Sequence, residues 1–419
     1  MLGRDRELRV VGDLLRGAEA GHGGMLLVEG EPGVGKTSLL RQSSAVAAER
    51  GFSLAWRTPD QLPQLVPTAQ AVPMPPQSPA VAAVGDAGKP GNGDPRRSGP
   101  DRRWPRAERA AQNQLMIMMD DLQWADPATL RALRSLSLRP RAQSPLWVLA
   151  RSAVSVDNDA EWLFDHLERS GAVRMMLRPL DDKTMAEMAA DTLGAALDRR
   201  LLALVAEAGG NPLLLAELLA GLADEGGIRI DGGLACLVSG RLPQRLQTAV
   251  RRWLSELSPR ARQIVEVGAV LGKSFRVGNI AALLGETAAT LLPELEAALE
   301  AGILAATPSA LAFRHDLVWR AVAEGVPAPA RQALHLQAGE LLLDRGGPAD
   351  DAAAHLISGT SADDAHAIAR LDRAARAFLP SAPQTAADLT LRALELAGRA
   401  DRGRFDRTVT AAEALAAAG

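Results

Sequence analysis

The chain contains no tyrosine, only four lysines and a single cysteine among its 419 residues. With Cys236 alone, neither an intramolecular disulfide nor a cysteine-based metal cluster can form, which is typical of proteins in a reducing compartment. The six histidines are scattered through the sequence without the spacing of zinc ligands. The sequence therefore gives no reason to expect zinc or a disulfide framework.

Long apolar segments are also missing. No run of about 18 uncharged apolar residues occurs, and the N-terminal sequence MLGRDREL carries charges where a signal peptide needs an apolar core. We therefore expect a cytoplasmic protein that does not contact a membrane. The formal net charge of −3 gives no overall attraction to nucleic acid, so direct DNA binding by this chain is not expected.

The most informative motif is GEPGVGKT at residues 30–37, which follows a predicted buried strand at 25–29 and precedes an amphipathic segment. A strand, a glycine-rich loop and a helix in this order are the setting of a phosphate-binding loop. The backbone N–H groups can surround phosphates, Lys36 adds a positive charge, and Thr37 offers a hydroxyl to Mg²⁺. We expect ATP or ADP to bind with Mg²⁺ at residues Gly30, Glu31, Pro32, Gly33, Val34, Gly35, Lys36, Thr37 and Ser38.

Two carboxylates and an arginine follow the next apolar runs. The run at 115–119 ends in Asp120 and Asp121, and the run at 146–150 is followed by Arg151. Asp120 is predicted as the acid next to Mg²⁺ and Asp121 as the group that polarises the attacking water, although an acidic pair can also form a turn or a helix cap. Arg151 could sense the γ-phosphate or pair with a surface acid. With Lys36, these residues form the predicted catalytic set.

The remaining sequence predicts an insertion and then helices. Residues 59–105 hold 11 of the 26 prolines and many glycines, which is typical of a loop or a disordered segment. After residue 179 the pattern predicts helices only, one of them opened by Ser258-Pro259 and closed by Gly272. The last predicted pair of helices covers 363–378 and 384–396.

Five motifs follow one another in a family-specific order: GRDREL at 3–8, GEPGVGKT at 30–37, MMDDLQWAD at 118–126, GGNPLLLAELL at 209–219 and FRHDLV at 313–318. They resemble the signal-transducing ATPases of the AAA-related STAND class. The similarity is to the N-terminal half of large ATP-binding LuxR-type transcription regulators in particular, and it covers about residues 1–345.

The resemblance implies a modular fold. It consists of an α/β P-loop core with a parallel sheet, a small helical domain, a winged-helix-like domain and a helical repeat of tetratricopeptide type. The corresponding ranges are 1–178 with the insertion at 59–105, then 179–240, 241–325 and 326–419.

The resemblance also implies further nucleotide contacts. Arg4 would lie near the nucleotide, Pro212 of the sequence Gly210-Asn211-Pro212 would pack against adenine, and His315 would help to hold ADP in a closed state. The structural alternatives are a tight turn between two helices for Gly210 to Pro212 and a core histidine for His315.

The implied function is a nucleotide-dependent switch in transcriptional regulation. ADP would hold a closed monomer, ATP would permit self-association, an unknown inducer or protein partner would act on the chain, and hydrolysis would be slow. One alternative is a turnover AAA-type ATPase that works as an oligomer on a client protein, but its motor relatives usually carry Glu where Asp121 stands. Another is an inactive, truncated regulator, since no recognition helix is predicted after residue 396.

Overall fold

The computed structural model describes residues 2–57, 114–136, 145–153, 158–361, 364–397 and 401–418. The predicted insertion at 59–105 lies outside the described residues. The chain divides into two compact units, Met1–Pro179 and Leu180–Gly419. Among the described residues, no helix is both long enough and apolar enough to cross a membrane.

The first unit is built on a parallel five-stranded sheet with the strand order β2-β3-β4-β1-β5. The strands are β1 (Met25–Gly30), β2 (Ser53–Arg57), β3 (Leu115–Met119), β4 (Leu146–Ser152) and β5 (Val173–Leu177). The helices of the described part are α1 (Asp5–Glu19), α2 (Lys36–Glu49), α3 (Pro127–Leu136) and α4 (Asn158–Arg169), and a short 3₁₀ turn covers Leu122–Trp124. The sheet confirms the predicted α/β P-loop core.

Helices cover both faces of this sheet. Leu26 and Val28 of β1 pack with residues of α1 and α2, whereas Leu27 packs with residues of α3 and α4. Because successive side chains of a strand point to opposite faces, this pattern shows that β1 is buried on both sides. Its carboxyl end lies between those of β4 and β5, and the glycine-rich loop begins there. In open parallel sheets, ligands bind at this edge.

The second unit is mainly helical. Its helices are α5 (Asp182–Leu193), α6 (Arg199–Ala206), α7 (Pro212–Asp224), α8 (Gln244–Leu254), α9 (Pro259–Leu271), α10 (Val277–Leu284), α11 (Ala288–Glu300), α12 (Asp316–Gly325), α13 (Ala328–Asp344), α14 (Ala349–Gly359), α15 (Ala365–Phe378), α16 (Pro383–Leu396) and α17 (Arg404–Ala418). One core joins residues between Leu180 and Val322, and a second joins residues from Leu336 to Ala414.

The prediction of helices alone after residue 179 is wrong in two places. The strands β6 (Ala196–Leu197), β7 (Ile228–Asp231) and β8 (Leu234–Leu237) form one sheet, and β9 (Ser274–Phe275), β10 (Leu304–Ala306) and β11 (Leu311–Phe313) form another. These strands are two to four residues long. Such strands are too short for the alternation of apolar and polar residues that identifies a strand.

Predicted helix boundaries agree well where side-chain caps define them. Ser258 accepts a hydrogen bond from the backbone N–H of Ala261, Pro259 is the first residue of α9, and Gly272 follows its end. In the first unit, Asp126 accepts from the backbone N–H groups of residues 128 and 129 at the start of α3. Each cap satisfies helix N–H groups that have no partner within the helix.

Candidate functional site

The loop between β1 and α2 has the backbone that its glycines predict. Gly33 and Gly35 adopt φ values of +77° and +106°, in the left-handed region that favours glycine. At Gly30, a Cβ atom would come within 2.7 Å of Val34 Cγ1. Gly35 is the N-cap of α2 and offers no side-chain acceptor to the first turn of the helix. The N–H groups of that turn are therefore suited to bind an anion.

Lys36 is buried inside this loop. Its side chain donates hydrogen bonds from Nζ to the carbonyl oxygens of Gly30 and Glu31, at 2.9 and 3.0 Å. Burial lowers the pKa of Lys36, while the negative charges of Asp120, Asp121 and Glu31 oppose that shift. A polyphosphate bound in the loop would add negative charge beside the ammonium group and favour its charged form.

Thr37 and Asp120 lie in direct contact although they come from different elements. Thr37 Oγ1 donates to Asp120 Oδ2 at 2.5 Å, which joins the first turn of α2 to the residue after β3. Burial raises the pKa of Asp120, and the hydrogen bond from Thr37 opposes that increase. The pair offers a hydroxyl and a carboxylate, which are the oxygen ligands that Mg²⁺ prefers.

The described residues contain no group of three or more acidic, histidine or cysteine side chains that could hold a metal ion. Mg²⁺ in nucleotide sites is bound through one or two protein oxygens, and substrate phosphates and water complete its coordination. Thr37 Oγ1 and the carboxylate of Asp120 are two protein oxygen groups of this kind.

Asp121 has an unusual backbone conformation. Its φ of +55° makes it the one non-glycine residue with a positive φ in the described part of the chain. The N–H of Asp121 donates to Asp120 Oδ1 at 3.0 Å, and its own Oδ1 accepts from Gln123 Nε2 at 3.0 Å. Asp121 and Trp124 are exposed, Trp124 to 75%. The structure thus brings Lys36, Thr37, Asp120 and Asp121 together.

Arg151 lies in a buried ion-pair network. It is 3% exposed, and its Nε donates to Oε1 of Glu29 at 2.6 Å. Glu29 also accepts from Arg174 Nε at 2.8 Å, and this contact raises the pKa of Arg174. The guanidinium of Arg151 lies 5.0 Å above the ring of Phe164 on α4. Arg151 therefore pairs with an acid that is buried rather than at the surface, and its role as a γ-phosphate sensor stays a prediction.

Arg4 contacts the glycine-rich loop from the N-terminal segment. Its Nη2 donates to the carbonyl oxygens of Val34 and Arg178, at 3.0 and 2.8 Å, and its side chain is buried. Through Val34, Arg4 fixes one side of the loop. The predicted contact between Arg4 and the nucleotide stays a prediction.

The residues predicted to contact adenine and ADP lie together within the second unit. Asn211 caps α7 by accepting from the N–H groups of residues 213 and 214, and Pro212 is the first residue of that helix. The side chain of His315 is buried against the same turn, since a Cβ atom on Gly209 would lie 2.8 Å from His315 Nδ1. Gly210 holds the turn in place because its carbonyl accepts from the N–H of Leu180 at 2.9 Å.

Sequence reasoning missed three residues of the site. Glu29 is predicted only as the end of a strand, Arg174 belongs to no motif, and Gln123 lies in a motif that gives it no role. Their hydrogen bonds join β1, β4, β5 and the 3₁₀ turn. One signal was present, because a charged residue at the end of an otherwise apolar, doubly buried strand requires a partner of opposite charge.

Comparisons with known proteins agree with this geometry. Residues 1–149 match the family model described as the AAA ATPase domain. Over 390 residues, the chain is 25% identical to an uncharacterised protein of Rhizobium meliloti (strain 1021). The alignment covers 80% of this chain, and the chain spans only 36% of that relative's length.

Several solved structures are similar at low identity. The Walker-type ATPase of Pyrococcus abyssi is 15% identical with a TM-score of 0.49, over 77% of this chain and 96% of that one. A STAND protein with a tetratricopeptide repeat sensor from Pyrococcus horikoshii is 14% identical with a TM-score of 0.31, over 99% and 58%. The family match and the strand–loop–helix geometry lead to one conclusion: the chain carries an AAA-type ATPase domain in residues 1–149.

Proposed function

We propose that this chain binds ATP and ADP with Mg²⁺ at residues 30–37 and acts as a nucleotide-dependent switch that hydrolyses ATP slowly. The observation that carries the proposal is the hydrogen bond of 2.5 Å between Thr37 and Asp120, beside the buried Lys36. This contact joins the two parts of the proposed magnesium–phosphate site, which lie 83 residues apart in the sequence.

Each residue of the proposed site would have a separate role. Lys36 and the N–H groups at the start of α2 would bind phosphate oxygens, while Thr37 and Asp120 would hold Mg²⁺ directly or through water. Bound Mg²⁺ would neutralise negative charge on the phosphates. Asp121 would orient the attacking water. Its side chain is one methylene shorter than that of the Glu that motor relatives use, so its carboxylate reaches less far. We therefore expect turnover below about 1 s⁻¹, the low end of ordinary enzymes.

The switch role extends to the second unit. The burial of His315 against the turn that contains Gly210 and Pro212 supports a joint function of these residues. We propose that Pro212 contacts adenine and that His315 responds to the bound nucleotide, so that exchange of ADP for ATP permits self-association. An inducer or a protein partner would set this exchange. The competing function, a turnover ATPase acting on a client, would require a steady-state rate above about 1 s⁻¹.

We propose a role in transcriptional regulation without direct DNA contact by this chain. The order α9-β9-α10-α11-β10-β11 supports a winged-helix-like domain at 241–325. In that domain, however, α11 carries Glu294, Glu296 and Glu300 and no lysine or arginine. Phosphate contacts require positive charge, so this helix is unsuited to enter a DNA groove.

We also propose the domain division 1–178, 179–240, 241–325 and 326–419. The boundary between the two compact units at Pro179 supports the first division, and the separate apolar core of residues 336–414 supports the last. The helices from α13 to α17 pack as successive neighbours, which supports a helical repeat of tetratricopeptide type.

Thermal unfolding with and without Mg·ATP or Mg·ADP tests the proposal. A ligand that binds only the folded protein adds about 2.7 kcal/mol of stability at a hundredfold excess over its dissociation constant. We expect an upward shift for the wild type and none for Lys36→Ala. Lys183→Ala is the matched control, because this lysine is 86% exposed on α5. Equal shifts for the wild type and Lys36→Ala would refute the assignment of the loop.

A further inference from the structure

Gln123 connects two elements of the ATPase domain through both ends of its side-chain amide. Its Nε2 donates to Asp121 Oδ1 at 3.0 Å. Its Oε1 accepts from the backbone N–H of Ser152, the last residue of β4, at 2.9 Å. The amide orientation is determined by these partners, since a carboxylate can only accept and a backbone N–H can only donate.

The carboxylate of Asp121 needs such support. Asp121 is exposed, and its backbone adopts the left-handed conformation. This conformation costs a non-glycine residue about 1 kcal/mol or more. Strained backbone of this kind persists where the surrounding contacts hold it, and it is concentrated at functional sites. The N–H of Asp121 is fixed by Asp120, and within the described residues Gln123 is the side chain that holds one of its carboxylate oxygens.

The contacts form a continuous path. The N–H of Ser152 holds Gln123, Gln123 holds the carboxylate of Asp121, and the N–H of Asp121 holds Asp120, which Thr37 contacts from the other side. The end of β4 and the first turn of α2 are thereby linked through the two acids. A side chain fixed at both ends loses little further freedom when it orients a reacting group.

We propose that Gln123 is a positioning residue for hydrolysis: it uses the end of β4 as an anchor and turns the carboxylate of Asp121 toward the attacking water. This inference rests on the proposed ATPase function and deepens it. Gln123 acts through Asp121, so it affects the rate of the chemical step. The binding of ATP depends instead on Lys36 and the loop.

The two hydrogen bonds of Gln123 can be separated by substitution. Gln123→Glu keeps an oxygen that can accept from Ser152, but it loses the donor to Asp121 and places a second carboxylate beside it. Gln123→Met has a similar length and loses both hydrogen bonds. Gln247→Met is the matched control, because Gln247 is a half-buried glutamine on α8 that donates one hydrogen bond, to the carbonyl of Leu242.

The test measures single-turnover ATP hydrolysis and the dissociation constant for ATP on the full chain. We expect both Gln123 variants to lower the hydrolysis rate at least tenfold, the scale on which the loss of an outer partner acts at metal sites. The dissociation constant should change less than twofold, and Gln247→Met should match the wild type. In an Asp121→Asn background, Gln123→Met should cause no further loss, because the two residues act as one unit.

Three results would overturn the inference in distinguishable ways. If the wild type hydrolyses ATP faster than Asp121→Asn but Gln123→Met does not slow it, or slows Asp121→Asn by the same factor, Gln123 does not act through Asp121. If the wild type binds ATP and hydrolyses it no faster than Asp121→Asn, the proposed hydrolysis fails as well. A weaker ATP affinity in both Gln123 variants would instead assign Gln123 to nucleotide binding and contradict the positioning role.

Discussion

Glu29 is the most consequential single residue of the sheet. Its side chain is 1% exposed at the end of β1 and pairs with Arg151 and Arg174 from the two neighbouring strands. Arg174 also contacts Asp165 and Glu168 on α4. The network therefore ties three strands and a helix together directly below the phosphate-binding loop.

Replacing this acid should destabilise the first unit. Glu29→Gln leaves the buried Arg151 without its negative partner, and breaking a buried ion pair costs about 3 kcal/mol or more. The free energy of unfolding is measured by chemical denaturation of the chain. The transition of the first unit is recognised by its shift when Mg·ATP is added. Glu168→Gln removes an acid that is 48% exposed from Arg174 and should change stability by less than about 1 kcal/mol. Equal effects of the two substitutions would show that Glu29 has no special role.

At this scale, the sequence predicts the phosphate loop and the acids well and their supporting residues poorly. The loop is encoded by spacing within eight consecutive positions, so its glycines, Lys36 and Thr37 can be assigned directly. Glu29 pairs with residues 122 and 145 positions away, and nothing in the local sequence specifies those partners. Gln123 lies within a recognised motif, but its contact to Ser152 depends on how β4 ends.

Among the elements, α13 and α14 pack with very little space between them. A Cβ atom on Gly339 of α13 would lie 2.6 Å from Leu356 Cγ on α14. In the reverse direction, a Cβ atom on Gly359 of α14 would lie 2.7 Å from Leu336 Cγ on α13. Both glycines therefore permit the close approach of the two helices, as small residues do at tight helix contacts.

A single methyl group should disturb this contact. Gly339→Ala forces Leu356 or the helix to shift, and overpacking of a dense core typically costs about 1–3 kcal/mol. Thermal unfolding of the second unit measures the effect. Gly325→Ala, at the end of α12, adds the same methyl group where no atom lies within 4 Å and should be neutral or slightly stabilising. A stabilising effect of Gly339→Ala would show that the contact adapts.

The same two helices carry a histidine pair that should make their stability depend on pH. His335 Nδ1 and His355 Nδ1 are 2.8 Å apart. Burial, followed by the charges of His355 and Arg331, lowers the pKa of His335 to about 4. Burial also lowers the pKa of His355, although a hydrogen bond to the backbone of Leu271 and the charge of Asp351 oppose that shift.

Because these folded-state pKa values lie below the unfolded value of 6.5, the unfolded chain binds more protons in this range. The contribution of the pair to stability is thus complete above pH 6.5 and is lost as the pH falls toward 4. We expect the melting temperature of the second unit to fall over that interval in the wild type. The double variant His335→Leu/His355→Leu should show a shallower decrease, and an equal slope would exclude the pair as its source.

For the elements, the sequence predicts what side-chain caps and long periodic patterns encode. Ser258 marks a helix start correctly, and α15 and α16 lie within about two residues of the predicted pair. The strands β6 to β11 escape prediction because a strand of two to four residues shows no alternation. Their pairing is decided by the helices packed around them.

The whole chain is organised as two units with separate apolar cores. The cores of the first unit contain residues up to Leu177, and those of the second begin at Leu180. Each unit therefore buries its own apolar surface, which is the condition for independent folding of a domain. Pro179 is the last residue of the first unit.

We expect residues 180–419 to fold without the first unit. The isolated segment should show a cooperative thermal transition, because it contains two apolar cores of its own. Mg·ATP should not raise the transition temperature, since Lys36, Thr37 and Asp120 all lie in the first unit. Calorimetry on this segment and on the full chain makes the comparison. A segment that unfolds without cooperativity would mean that the second unit depends on the first.

Trp124 gives the molecule an optical property of practical value. Because the chain has no tyrosine, its near-ultraviolet emission is dominated by its seven tryptophans. Trp124 is the most exposed tryptophan in the described part of the chain, and it stands three positions after Asp121. An indole in water emits at longer wavelength than a buried one, so the emission of Trp124 is shifted to longer wavelength than that of the buried tryptophans. The candidate site thus carries a built-in fluorophore through which events at the acidic pair can be followed without a dye.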